Sequence, residues 1–416
     1  MVYVLNMDGR PLMPTARYGK VRRLLRDKKA KVLKRCPFTI QLLYKVSNDT
    51  QDITLGVDAG SKYIGLSAVT DKKELYTAEI ELRNDIVDLL STRRENRRTR
   101  RNRKTRYRKP RFENRKRGEG WLAPSVQNKV DTHLTVVRRV HEILPITKII
   151  IEVAAFDIQK IKNPDIAGTE YQQGEQLGFW NVREYVLFRD GHTCQCCKRK
   201  SKDKILNVHH IESRKTGGDA PNNLITLCET CHKGHHKGIV KLPKMIRRGM
   251  IFRDAAFMDI MRWAFYKQLK EQYLNISLTY GYITKNTRIR NGLPKTHYAD
   301  ARCISGHPLA EPLGYYFYQK KVRCHNRQIY KNTIRKGGYR KRNQAPYLVK
   351  GFRLFDKVAY NNQECFIFGR RKSGYFDLRK LDGTKIHASA PYKKLNLLEP
   401  RKTMLCERRK AIPPTA

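Results

Sequence analysis

The stretch ITLGVDAGSKYIGLS, residues 53–67, decides the fold of this chain. Its apolar residues predict a strand over 53–58 that ends at an acidic residue, Asp58, and a second strand over 63–70. Gly60 lies between the two strands, where the missing side chain would let a phosphate group approach Asp58 closely. The stretch therefore predicts a sheet with a polar site at the end of its first strand.

Two further acidic residues have comparable surroundings. Glu152 lies in KIIIEVAAFD, residues 148–157, where a charge among Ile and Val is costly and requires a cation partner. Asp300 lies in KTHYADARCIS, residues 295–305, three positions after His297, so the two side chains share one face of a helix. Each acid alone could be an ordinary cap or turn residue. Together the three carboxylates predict a nuclease centre with two Mg²⁺ ions about 3.5–4 Å apart.

A compact module rich in Cys and His lies between the second and third acids. Two C-x-x-C pairs about 30 residues apart are typical of a structural zinc site. The expected ligands are Cys194, Cys197, Cys228 and Cys231. Cys196 competes with Cys194 for the first position. A zinc ribbon without activity would explain the cysteines but not the adjacent histidines of VHHI (208–211), which can supply a metal ligand and a general base.

The charge of the chain indicates a polyanionic partner. Lys and Arg number 87 against 38 Asp and Glu, which gives a net charge of +49. A nucleic-acid backbone would neutralise this charge, and binding should then depend strongly on salt. A basic ribosome-associated protein would have the same balance, so charge alone assigns no activity.

The basic residues are densest in one internal segment. From Arg93 to Arg117, 15 of 25 residues are Lys or Arg, which makes an isolated helix unfavourable but favours order between phosphates. A disordered basic tail is the alternative, although this segment leads directly into folded sequence. The expected nucleic-acid contacts are Arg93, Arg94, Arg97, Arg98, Arg100, Arg101, Arg103, Lys104, Arg106 and Arg108.

The remaining patterns predict the other elements of an α/β multidomain protein. Ser125 is the expected N-cap of one helix, which Pro145 closes. Helices are expected over 17–29, 126–144 and 253–273, strands over 74–80, 148–153 and 275–283, linkers over 159–178 and 238–249, and a small β-barrel within 345–400. No run of about 18 apolar residues and no signal sequence occur, and the scattered cysteines do not suggest secreted disulfides, so an intracellular protein without a membrane partner is expected.

GVDAGSKYIGLS, IIIEVAAFD and HYADA resemble the three split segments of a RuvC nuclease, which has an RNase H-like fold. The resemblance implies that Asp58, Glu152 and Asp300 bind metal. It also implies that His297 acts on the attacking water or on the scissile phosphate.

The Cys/His module resembles an HNH endonuclease, which has a ββα-metal fold, with GGDAPNNLITLCETCH matching its loop-to-helix half. This resemblance implies that His210 is the general base and that Asn223 orients it. It further implies one Mg²⁺ held by His209 and His232. Asn222 could replace Asn223, and His235 or His236 could replace His232.

The order of these parts, together with Pro11-Leu12-Met13-Pro14, is similar to the IscB family of transposon-encoded RNA-guided nucleases. The resemblance implies a guide RNA (omega RNA) as partner, double-stranded target DNA, and one protein chain per RNA in the prokaryotic cytoplasm or nucleoid. It implies these domains: an N-terminal PLMP domain 1–50, RuvC segment I 51–85, an Arg-rich bridge helix 86–120, RuvC segment II 121–160, a linker 161–180, HNH 181–240, a linker with RuvC segment III 241–325, and a target and adjacent-motif domain with the β-barrel 326–416.

Three other hypotheses stay open at this point. A guide-independent HNH homing or restriction endonuclease would leave the acidic trio without a role. An RNA-binding or ribosome-assembly protein would explain the charge but not Glu152 or the paired histidines. A guide-dependent binder without cleavage is the nearest alternative, yet every expected catalytic residue is present.

Overall fold

The computed structural model describes residues 1–101, 121–153, 181–198, 200–201, 203–213, 221–243, 253–324 and 346–412. The chain divides into two compact units. The first contains Met1–Ala154 and Phe257–Ala416, and the second contains Ala155–Ala256. The expected linker over 159–178 and basic residues 103, 104, 106 and 108 lie outside the described residues.

The first unit contains most of the regular structure. Its strands are β1 (Tyr3–Leu5), β2 (Ala30–Lys34), β3 (Thr39–Leu42), β4 (Thr54–Ala59), β5 (Tyr63–Val69), β6 (Glu74–Glu81), β7 (Lys148–Val153), β10 (Ile276–Tyr280), β11 (Tyr315–Lys321), β12 (Lys357–Tyr360), β13 (Gln363–Arg370), β14 (Tyr375–Arg379), β15 (Lys385–Pro391), β16 (Asn396–Glu399) and β17 (Met404–Lys410). Its helices are α1 (Tyr18–Arg26), α2 (Ile86–Arg101), α3 (Pro124–His141), α6 (Arg253–Lys270), which begins at the end of the second unit, α7 (Gly281–Arg290) and α8 (His297–Ile304).

The second unit contains α4 (Val182–Arg189), β8 (Leu206–His210), β9 (Leu224–Cys228) and α5 (Glu229–His236). β8 and β9 form an antiparallel hairpin in which His209 pairs with Ile225. α5 follows β9 without a connecting loop, because Cys228 is both the last residue of the strand and the N-cap of the helix. The unit is thus a two-stranded ribbon that leads directly into a short helix.

A seven-stranded sheet forms the centre of the first unit, with strand order β10-β7-β4-β5-β6-β11-β17. β4, β5 and β6 form the antiparallel meander expected from the opening sequence, while β7 and β10 join it in parallel. Apolar side chains of the meander, β7, α3 and α6 form one core that includes Leu55, Leu66, Ile151, Val137 and Phe265. Because successive residues of a strand face opposite ways, residues adjacent to these core positions lie on the other face of the sheet.

Two smaller sheets complete the described part of the unit. β1, β2 and β3 pack against α1 around Val4, Val21 and Ile40. The C-terminal strands form an antiparallel sheet of order β15-β14-β13-β12-β16. Its tight turns lie where expected, with positive φ angles at Asn361, Asn362, Gly374 and Gly383. Closure into a barrel stays a prediction, since no pairing of β15 with β16 occurs among the described residues.

Two local predictions were wrong. The helix α3 begins at Pro124 after the N-cap residue Ala123, so Ser125 is not its cap; proline suits the first helical turn because it lacks the amide proton that would be unpaired there. The expected strand over 275–283 ends at Tyr280, and Gly281 begins α7. The apolar residues Tyr282 and Ile283 extended the strand pattern past this boundary.

No described helix combines the length and apolarity needed to span a membrane.

A buried histidine should make the first unit sensitive to acid. His133 of α3 is fully buried against Phe265, and burial lowers its pKa to about 4. Between about pH 6.5 and 4 the unfolded chain binds a proton that the folded chain excludes, so stability falls as the pH decreases, by up to about 3 kcal/mol. Urea unfolding at pH 7 and pH 4.5 should show a smaller difference for His133→Leu than for the parent. The exposed His387→Leu is the control and should keep the parent's difference; an unchanged difference in His133→Leu would contradict the prediction.

Candidate functional site

The register of two parallel strands places Asp58 beside Glu152. β4 and β7 pair from Thr54 with Lys148 to Val57 with Ile151, so the next residues on each strand are the two acids. Both strands run in the same direction, and their carboxyl ends therefore meet at one edge of the sheet. The core residues Val57 and Ile151 face the other side. Asp58 and Glu152 thus share the face opposite the core.

Two glycines allow α8 to lie directly on this face. A Cβ on Gly56 would overlap the carbonyl oxygen of Ala301, and a Cβ on Gly65 would overlap that of His297. Only the missing side chains let the helix backbone reach the strands. Thr296 caps the helix by accepting a hydrogen bond from the Ala299 amide at 3.2 Å. The close approach places the first turn of α8 next to the end of β4.

This packing brings His297 into contact with Asp58. His297 Nδ1 lies 2.7 Å from Asp58 Oδ2, and the imidazole stacks on Tyr63 with 5.4 Å between ring centroids. The Asp58 carboxylate, which is mostly buried, raises the pKa of His297 through this hydrogen bond. The protonated imidazole is therefore favoured at this position.

The other two acids pair with arginines that no sequence motif indicated. Arg262 of α6 places Nη2 3.1 Å from Glu152 Oε1 and donates from Nε to the Ala59 carbonyl at 2.9 Å. Arg288 of α7 places Nε 2.8 Å from Asp300 Oδ1. The Glu152 and Arg262 side chains are only 12% and 8% exposed. The cation partner expected for Glu152 is therefore a guanidinium in this structure.

The acids also influence one another. Burial raises the pKa of Glu152, and the nearby Asp58 raises it further. Burial and the charges of Asp58 and Glu152 raise the pKa of Asp300 to about 6. Like charges raise carboxyl pKa values only when the groups are close, so Asp58, Glu152 and Asp300 form one electrostatic cluster.

The cluster fits a site for hard divalent cations, because it offers three carboxylates on a rigid sheet edge and a helix. The raised pKa values of Glu152 and Asp300 indicate that the ionised acids repel one another, and a bound cation would reduce this repulsion. The oxygen atoms of the three carboxylates do not all lie within 4.8 Å of one another in this structure. Each acid instead contacts a basic residue of its own, which is Arg262, Arg288 or His297. Asp58, Glu152 and Asp300 would hold the ions once these pairs loosen.

The second unit gathers the four expected cysteines. The Sγ atoms of Cys194, Cys197, Cys228 and Cys231 all lie within 4.8 Å of one another. Ser201 Oγ lies 3.3 Å from Cys197 Sγ and lowers the pKa of that thiol to about 6. Four sulfur atoms at this separation fit a tetrahedral zinc site. Cys196 is excluded from the cluster, since its thiol points to the carbonyl of Lys241 at 3.7 Å.

A second cluster in this unit contains three histidines. His209 of β8 meets His232 and His236, one turn apart on α5, with all three potential ligand atoms within 4.8 Å. Burial and the neighbouring imidazoles lower the pKa of His209 to about 4, which keeps it neutral and able to bind metal. The sequence predicted His209 and His232 as ligands, with His235 or His236 as a substitute for His232. The structure joins His209, His232 and His236, a set that the His-x-x-x-His spacing on a helix indicates.

This donor set fits a divalent metal, although imidazoles suit zinc, nickel or copper better than the expected Mg²⁺. His235 also lies beside His209, with 4.9 Å between ring centroids, but its Nδ1 lies 2.9 Å from the Val240 carbonyl oxygen and it does not belong to the set of three ligand atoms. His210, the expected base, follows His209 and is the last residue of β8. The buried Asn223 accepts from the Glu212 amide at 2.8 Å and donates to the Glu212 carbonyl at 3.1 Å. Asn223 thus fixes the chain directly after His210.

The basic segment begins as helix α2, on which Arg93, Arg94, Arg97 and Arg98 are exposed. The helix continues through Arg100 and Arg101 to the end of the described stretch. Its exposed face carries four positive charges within two turns and only Glu95 as an exposed acid among them. Such a face suits the phosphates of a nucleic acid.

Two protein-family models match parts of the chain. Residues 2–174 match the family model described as RRXRR protein, and residues 194–238 match the model described as HNH endonuclease. Residues 194–238 form an HNH endonuclease domain. The four cysteines and the three clustered histidines all lie inside this nuclease domain. No curated protein matches the chain.

Two solved structures that match are those of Streptococcus thermophilus Cas9 in complex with the AGAA PAM and with the GGAA PAM. The first has 15% identity and a TM-score of 0.31, over 44% of this chain. The second has 15% identity and a TM-score of 0.30, over 45% of this chain. The present chain covers about a quarter (26%) of either Cas9 chain.

The close approach of α8 to the sheet can be tested with one methyl group. Gly65→Ala should displace α8 and lower the free energy of unfolding by at least about 2 kcal/mol, because the new Cβ meets backbone that cannot move alone. Binding of Mn²⁺ to the carboxylate cluster should weaken in parallel. Thermal unfolding and Mn²⁺ titration measure the two effects.

Gly19→Ala is the matched control, since nothing lies within 4 Å of its Cβ position on α1. Alanine should there be neutral or stabilise by about 0.5–1 kcal/mol. Equal stability and equal Mn²⁺ affinity in the parent and in Gly65→Ala would contradict the glycine argument.

The cysteine cluster predicts zinc that holds the HNH domain together. Cys228→Ser should reduce bound zinc from about one ion per chain to nearly none and should abolish cooperative unfolding of this domain, because structural zinc supplies folding energy. Cys196→Ser, one residue from a ligand, should retain the metal. Elemental analysis and limited proteolysis test both variants, and full zinc content in Cys228→Ser would refute the site.

Proposed function

We propose that this protein is an RNA-guided DNA endonuclease with the organisation of the IscB family. It would bind an omega RNA, pair the guide with target DNA beside a short adjacent motif, and cut both strands by metal-dependent hydrolysis. The observation that carries the proposal is the interrupted carboxylate cluster. Asp58 and Glu152 precede the HNH domain in the chain and Asp300 follows it, yet strand register places the first two acids side by side and the packing of α8 brings Asp300 to the same sheet.

The meander β4-β5-β6 with the parallel strands β7 and β10 supports an RNase H-like RuvC core. In this core Asp58, Glu152 and Asp300 would hold two Mg²⁺ ions. The HNH domain would hold one ion at His209 and His232, with His236 as a further ligand. When bound, such ions activate water and stabilise the charge that develops on phosphate.

The protein's own groups would position the substrate and move protons. His210 would accept a proton from the attacking water in the HNH domain, and Asn223 would keep the chain after His210 in place. His297 would act on the attacking water or on the scissile phosphate in the RuvC centre.

The HNH site would cut the guide-paired strand and the RuvC site the displaced strand. The exposed arginines of α2 support its role as the start of a bridge helix on the guide backbone. Base pairing would then read the sequence while the protein supplies charge and shape. Each RNA would bind one protein chain. The complex would work in a prokaryotic cytoplasm.

Strand-specific cleavage by the RNA-loaded protein tests the proposal. Asp58→Ala should reduce cutting of the displaced strand by at least about 100-fold and leave the guide-paired strand cut, because only one centre loses a metal ligand. His210→Ala should produce the opposite nick. Each strand carries its own label, so both rates come from one reaction.

Asp71→Ala is the control, since its side chain is 92% exposed and lies outside both clusters. Loss of both cuts in Asp58→Ala would count against two separate centres. Cleavage without RNA that Asp58→Ala leaves unchanged would favour a guide-independent HNH endonuclease. Tight guide-dependent binding without any cut would favour the non-cleaving binder, and a heterogeneous co-purified RNA would favour an RNA-binding or ribosome-assembly protein.

A further inference from the structure

One pair of cysteines has no part in either metal cluster. Cys36 lies in the turn between β2 and β3, and Cys406 lies on β17, 370 positions later. Their Sγ atoms are 2.9 Å apart. Outside the zinc cluster, the thiols of Cys324 and Cys365 point instead to backbone carbonyls. Cys36 and Cys406 are therefore the thiols poised to react with each other.

The pair lines a cavity of 310 Å³ in the first unit, and neither residue is fully buried. The wall of the cavity is rich in cations, including Lys34, Arg138, Arg139, Lys357, Arg401 and Lys402. Glu142 and Glu399 are the acids of the lining. A small anionic reagent would therefore be attracted to the two sulfur atoms.

The two thiols have different electrostatic surroundings. The hydrogen bond from Cys406 lowers the pKa of Cys36, and the charge of the nearby Lys357 lowers it further. The same bond, together with burial, raises the pKa of Cys406. A thiolate next to a cation and a second thiol is the typical setting of a redox-active cysteine. The nearby Lys357 cation favours the Cys36 thiolate as the nucleophile and leaves Cys406 as the resolving thiol.

We propose that Cys36 and Cys406 form a reversible disulfide in response to an anionic low-molecular-weight disulfide such as oxidised glutathione. The Cys36 thiolate attacks one sulfur of the reagent, whose S–S bond breaks and releases one thiolate. Cys406 then loses its proton and attacks Cys36 Sγ in the mixed disulfide, which releases the second reagent thiol. Two protein thiols are oxidised by two electrons, and one reagent disulfide is reduced to two thiols.

The bond would join two parts of the first unit that noncovalent contacts hold together. The N-terminal sheet meets the rest of this unit through contacts such as Tyr3 Oη to the Leu75 carbonyl at 3.0 Å and Lys34 Nζ to Glu142 Oε2 at 3.1 Å. A cross-link between residues this far apart restricts the unfolded chain strongly. The oxidised protein should therefore resist thermal unfolding better than the reduced protein.

Peptide mapping of the full-length, zinc-loaded protein tests the proposal without reference to nuclease activity. After incubation with oxidised glutathione and alkylation of free thiols, the Cys36 and Cys406 peptides should appear as one linked species, lighter by two hydrogens than their sum. On a non-reducing gel the denatured chain should migrate faster, and dithiothreitol should reverse the shift. The midpoint of thermal unfolding should rise on oxidation.

Cys36→Ser and Cys406→Ser should both lose the gel shift, whereas Cys324→Ser should keep it. The mapping of the parent protein needs no variant, so a folding defect in either serine variant leaves the test intact. Free Cys36 and Cys406 after oxidation, stable glutathione adducts on both residues, or linkage of either one to another cysteine would overturn the proposal.

Discussion

The direct contact between the backbone of α8 and the strands β4 and β5 is the constraint on which the rest of the first unit depends. Gly56 and Gly65 provide it, because any side chain at these positions would occupy the space of the Ala301 and His297 carbonyls. The contact fixes His297 against Asp58 and brings Asp300 into the electrostatic field of Asp58 and Glu152. Asp58 and Asp300 are more than 240 positions apart in the chain, and this packing places them in one electrostatic cluster.

Charge balance explains why this cluster is stable before any substrate is bound. Each acid has its own basic partner, His297 for Asp58, Arg262 for Glu152 and Arg288 for Asp300. Without such partners, burial of three carboxylates would be costly. The same partners would compete with metal ions for the carboxylates, so metal binding at this cluster would require the arginines to move.

The sequence predicted those features that local pattern determines. The strand Lys148–Val153 has the bounds expected from its apolar run, and the meander, the tight turns and the clustering of four cysteines follow from spacing. Side-chain contacts between residues far apart in the chain could not be predicted from local pattern. Arg262 lies 110 positions from Glu152, and its only signal in the sequence is a charge between the apolar residues Met261 and Trp263. The boundary at Gly281 was missed because aromatic and β-branched residues continue on both sides of it.

Anomalous diffraction from crystals soaked in Mn²⁺ can locate the proposed metal centre of Asp58, Glu152 and Asp300. Two peaks about 3.5–4 Å apart should appear between these three carboxylates, with Arg262 and Arg288 turned away from the acids. Peaks only at the histidines of the HNH domain, with the three acid–base pairs unchanged, would contradict the proposed centre.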